Sequence, residues 1–145
     1  MKRLSERSIL LLLAAVQFTH IVDFMIMMPL GPQLMRELQI GPRYFSAFVA
    51  IYTISSGMVG LLAAPFIDRF DRRKLLLAAY AGFILGTLGC AFAETAGGLL
   101  AARALSGAFG GLSMSMVMAI IGDVVPAERR AAAVETVIFE AAELE

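Results

Sequence analysis

Sites that need several soft ligands have little to work with in this chain. It holds one cysteine, Cys90, and one histidine, His20. A lone cysteine in an apolar run excludes a disulfide within the chain. One histidine with one cysteine leaves no ligand set for a zinc-type site. No G-x-x-x-x-G-K-[ST] run occurs, which excludes nucleotide hydrolysis through a P-loop. The formal net charge is zero, so no nucleic-acid partner is expected. No motif asks for a metal or a cofactor, and no enzyme chemistry is expected.

What the chain has in excess is apolar sequence. Of its 145 residues 59% are hydrophobic, where about 45–50% is usual for soluble domains. The excess lies in long runs, which marks an all-α, polytopic membrane bundle with the lipid bilayer as its surroundings. The run 8–28 follows a basic start with Lys2, Arg3 and Arg7. No small-residue cleavage site follows, and about 20 residues is spanning length, so it reads as a first transmembrane helix rather than a signal peptide. Pro29, Gly31 and Pro32 are expected to end it, and 31–43 to form a mixed loop. Three further spans are expected at 44–66, 75–93 and 99–121, with a tight turn at 94–98 and a polar loop at 122–130. The tail 131–145 begins like a fifth helix, but Glu135, Glu140, Glu143 and Glu145 interrupt it. It is expected to be a partial fifth span or a surface helix.

Charge fixes an orientation. With the N-terminus inside, nine basic residues fall on the cytoplasmic side: Lys2, Arg3, Arg7, Arg69, Arg72, Arg73, Lys74, Arg129 and Arg130. Two, Arg36 and Arg43, fall outside. This bias predicts a cytoplasmic N-terminus in a cell (inner) membrane. Small residues four apart (Ser56, Gly60 and Ala64; Ala78, Gly82, Gly86 and Cys90; Gly107, Gly111 and Ser115) predict close helix packing.

Charged and polar groups inside the spans are the candidate site. Gln17, His20 and Asp23 share one face of the first helix, with Met27 on the same face. Arg103 is the one basic residue inside a span. Counted from the helix ends, Asp23 and Arg103 lie at nearly equal depth in antiparallel spans. Neither is tolerated facing lipid, so the two are expected to meet in a solvated cavity within the bundle. They read either as a structural ion pair or as an acid whose protonation is coupled to transport. His20 reads equally as a satisfied core histidine or a proton relay. Met114 and Met118 continue the Arg103 face and read as core fillers or as walls for an apolar ligand.

The loop Asp68-Arg69-Phe70-Asp71-Arg72-Arg73-Lys74 resembles the signature G-x-x-x-D-R-x-G-R-[RK] of the major facilitator superfamily. Ala64 and Asp71 stand where that pattern has glycine. The stretch from Asp23 to Pro29 resembles the D-x-x-x-x-x-P motif of drug/proton antiporters. Arg103 to Gly107 with Gly110 resembles the fourth-helix arginine motif, and Gly122 to Arg130 the loop after it. The resemblance implies the first part of a twelve-helix fold in two halves, moving by alternating access. It implies proton-coupled efflux of a small-molecule substrate, a drug or metabolite. It also implies a cytoplasmic gating loop of Asp68, Arg69, Arg72, Arg73 and Asp123, with Arg72 paired to Asp123 and Asp68 latching onto the second half. Twelve spans need roughly 400 residues. The chain is therefore expected to be a fragment that lacks its C-terminal half and does not transport alone. The alternative is a small four-helix membrane protein that acts by oligomerising or as a non-transporting scaffold.

Overall fold

The computed structural model describes residues 6–140. The helices follow the apolar runs. They are α1 (Glu6–Met25), α2 (Met27–Glu37), α3 (Pro42–Ala63), α4 (Arg72–Ala91), α5 (Ala96–Val124) and α6 (Arg130–Glu135). No strand occurs among the described residues. Four helical stretches are long and apolar enough to cross a membrane: Arg7–Met25, Pro42–Ala63, Arg72–Ala91 and Ala96–Val124.

The prolines after α1 do not end its helical path. The chain breaks only at Ile26 and continues as α2 through Pro29 and Pro32 to Glu37. Ile26 itself keeps helical dihedrals and donates to the Val22 carbonyl at 2.9 Å. Pro29 falls in the first turn of α2, where the missing N–H has no intrahelical acceptor to lose. The expected loop from Gly31 is thus largely helix. Gly31 sits against the Phe45 ring; a methyl group added there would lie 2.8 Å from it. Gln39, with a left-handed φ of 52°, then turns the chain toward Gly41 and Pro42, which open α3.

The segment between α3 and α4 contains a short 3-10 turn, Ile67–Arg69. Asp71, at a signature glycine position, caps α4: its carboxylate accepts from Arg73 N at 3.0 Å and Lys74 N at 3.4 Å. Three basic residues in the first turn of α4 oppose the helix dipole, and the capping aspartate offsets them. At the other end of α5 the Arg130 guanidinium donates to the Gly122 and Val125 carbonyls at 2.7 and 3.1 Å, satisfying groups the helix leaves open.

Helix α5 is the centre of the assembly, packed along α3 and α4 and touching α1. Its buried residues run from Leu99 to Ile121, whereas α3 buries Phe48 and Tyr52. Glycine sets the approach. A methyl group at Gly107 would lie 2.9 Å from Tyr52 Cα, and one at Gly86 would lie 2.7 Å from Ser106 N. With no hydrophobic drive between helices in lipid, such backbone proximity supplies the dispersion that holds them. The described part of the tail packs inward: Ala133 and Val137 join Leu13, Val117, Ile121 and Val125 in one apolar cluster. There the helix widens to a π turn over Thr136–Glu140. The tail residues 141–145 lie outside the described residues.

Candidate functional site

Antiparallel α1 and α5 bring Asp23 and Arg103 together. Arg103 Nη1 donates to Asp23 Oδ2 at 2.9 Å. Helix α4 adds Thr87, whose hydroxyl donates to the other carboxylate oxygen at 3.2 Å. Helix α3 adds Tyr52, its ring 5.7 Å from the guanidinium carbon, with Phe24 packed against that ring at 5.8 Å between centroids. Four helices therefore converge on one ion pair. Its side chains are only 4% and 8% exposed, so the pair lies inside the bundle and does not face lipid. Enclosure follows from the small residues around it: Gly86 and Ser106 let α4 and α5 meet, and Gly107 lets α3 approach.

His20 sits one turn along α1. Its ring lies 4.0 Å from that of Phe83, tilted by 58°, and edge-on at 6.2 Å from Tyr80. Neither imidazole nitrogen has a hydrogen-bond partner among the described residues, and the same holds for Gln17 Oε1. The three methionines fall elsewhere. Met27, past the break at Ile26, packs with Phe48 and Leu99. Met114 and Met118 line an open groove of about 560 Å³ between α3 and α5, with Ser56, Gly60 and Ala64 opposite. Met114 is three turns from Arg103, roughly 16 Å along the helix, so this groove is separate from the ion pair.

The second charged constellation is at the other end of the helices. Arg72, opening α4, donates from Nη2 to Asp123 Oδ1 at 3.4 Å, and its Nε pairs with Oδ2. Arg69 lies over the Phe66 ring at 5.7 Å, and Arg73 is exposed on the first turn of α4. The Asp68 side chain lies outside the described residues. No group of three or more His, Cys, Asp or Glu side chains placed to hold a metal occurs among the described residues.

Thr87 and Tyr52 are site residues that sequence reasoning missed. A threonine next to Gly86 in a span, and a tyrosine on the face of α3 opposite Gly107, carry a polar signal but no pattern that assigns a partner.

The family model of the Major Facilitator Superfamily matches residues 13–141. The chain belongs to this superfamily. The superfamily consists of multi-pass membrane carriers rather than enzymes, and the four apolar helices of this chain agree with a multi-pass membrane protein. It is 32% identical over 122 residues to the gallate transporter of Pseudomonas putida, covering 81% of this chain and 26% of that protein. It is 31% identical to the MFS-type transporter YhcA of Bacillus subtilis, covering 85% of this chain and 23% of that one. It is 41% identical over 78 residues to the efflux pump dotC of Dothistroma septosporum, covering 54% and 13%. The chain thus spans about a quarter or less of the length of these relatives. No solved structure matches it.

Proposed function

We propose that the chain forms the front part of a proton-coupled secondary transporter that exports drugs or small metabolites. The observation that carries the reading is the buried Asp23–Arg103 pair, braced by Thr87. Ionisable groups inside membrane spans are costly, and they mark ion and substrate pathways. Here one carboxylate holds groups from α4 and α5 at once. Adding a proton to Asp23 removes the charge that holds Arg103, so proton occupancy is tied to how the helices sit against one another. Relatives named for gallate transport and for efflux support small-molecule transport as the general activity.

The transporting unit in this reading includes a further set of helices, the C-terminal half. The gating loop around Asp68, Arg69, Arg72 and Arg73 faces that half and opens and closes the cytoplasmic side, with Arg72–Asp123 as its internal tie. The nine-to-two distribution of basic residues supports a cytoplasmic N-terminus in the inner membrane.

Flux in proteoliposomes tests the reading. The transporter containing this chain should acidify or alkalinise the lumen when substrate is added. The 145-residue chain alone should give no uphill flux. Substrate movement with no accompanying proton movement overturns the coupling. Robust Asp23-dependent flux from the chain alone favours instead a small oligomeric carrier.

A further inference from the structure

The α1–α5 seam continues past the ion pair as a row of polar groups. Stepping along α1 from Asp23 through His20 and Gln17 to Leu13 runs antiparallel to Arg103, Gly110, Ser113 and Val117 on α5. Two contacts fix the register. His20 Nδ1 lies over Gly110, 3.5 Å from where a methyl group there would sit, and Leu13 shares a cluster with Val117. Gln17 therefore falls beside Ser113. The Tyr52 hydroxyl also faces Gly110, at 3.0 Å from the same point. His20 is 7% exposed and Ser113 0%. Both imidazole nitrogens, Ser113 Oγ and Gln17 Oε1 are buried without a hydrogen-bond partner among the described residues, as is Arg103 Nε.

We propose that Gln17, His20, Tyr52 and Ser113 enclose an internal water-binding site above Gly110, contiguous with the Asp23–Arg103 pair. Buried polar side chains are satisfied by protein or by ordered water, and a buried water needs two to four polar partners. The groups gathered here suit water by type: hydroxyls that donate and accept, an amide oxygen that accepts, and ring nitrogens. None is a permanently charged group, and the neighbouring carboxylate is already matched by Arg103. A free cation or anion therefore has no unbalanced charge to bind. Gly110, lacking a side chain, lets the Tyr52 hydroxyl and the His20 ring come close to α5, and Phe83 and Tyr80 pack against the imidazole. The site gives Asp23 a hydrated route toward the N-terminal half of α1. That use rests on the proton-coupling reading; the hydration does not.

His20 is the sole histidine of the chain, which makes it a clean probe. The 145-residue chain, with histidine labelled by nitrogen-15, is placed in lipid nanodiscs, and magnetisation transfer from water to the imidazole is recorded. Strong water-to-ring transfer is expected, and transfer to deuterated buffer should exchange the ring N–H within the dead time. Ser113→Ala combined with Gln17→Leu should weaken the water signal several-fold. A wild-type ring with no water contact, its N–H retained for hours in deuterated buffer, overturns the site. A wet ring indifferent to the double substitution overturns its assignment to these residues. Loss of proton coupling is read separately from flux. A wet His20 in a transporter whose flux ignores Asp23 upholds the water site while removing the coupling reading.

Discussion

The Asp23–Arg103 and Arg72–Asp123 pairs join the same kinds of groups in opposite surroundings. The first is enclosed by four helices. In the second, side-chain exposures are 27% and 52%. Both link residues far apart in sequence, and both are close in space. Their energetic meaning differs because water screens one and not the other. In the interior, desolvation and attraction are both large and nearly cancel, so the intact pair adds little while a broken pair costs much. At the exposed end both terms are small. Proximity alone therefore does not rank the two. Burial does, and in the proposed function it is the inner pair that ties protonation to helix movement.

The largest effect expected follows from breaking the inner pair on one side. Arg103→Met should lower stability in bicelles by about 3–5 kcal/mol, because the Asp23 carboxylate is left buried without a counter-charge. Adding Asp23→Asn to that variant should recover much of the loss. Denaturant titrations of the single and double variants check both.

A smaller effect is expected from the packing that encloses the pair. Gly86→Val should cost about 1–3 kcal/mol, since its side chain meets the Ser106 backbone and forces α4 from α5. It should also carry Thr87 away from Asp23. Gly57→Ala, where nothing lies within 4 Å, should cause no loss in the same unfolding assay. The smallest effect is expected at the outer pair. Asp123→Asn should cost about 0.2–1 kcal/mol at low ionic strength and nothing measurable in 1 M salt. The Arg103→Met loss should be insensitive to salt, and this contrast sharpens the comparison.

The four spans were legible because runs of about 20 apolar residues have few alternatives to crossing a bilayer. Asp23 and Arg103 were legible as a pair because the cost of charge in lipid and matched depth leave few arrangements. Their enclosure was not legible. It depends on which side of α4 presents Thr87 and on how near Gly107 lets Tyr52 come, and helical spacing does not encode either. Pro29 misled in the opposite way. Proline ends a helix when its N–H is missed, but in a first turn no bond is lost, and the sequence does not mark where α2 begins. Met27, placed by periodicity on the Asp23 face, packs with Phe48 and Leu99 about one turn beyond the ion pair. The glutamates of the tail drew attention to its polarity, while Ala133 and Val137 decide where its described part packs.

The most direct measurement is substrate flux through the transporter carrying Asp23→Asn, with and without an imposed proton gradient, in proteoliposomes of matched protein content. The substituted residue keeps the shape and can still accept from Thr87, so binding and downhill exchange should persist. The expected result is that the gradient no longer drives uphill movement. Uphill flux with its full dependence on the gradient would contradict the assignment of coupling to the Asp23–Arg103 pair.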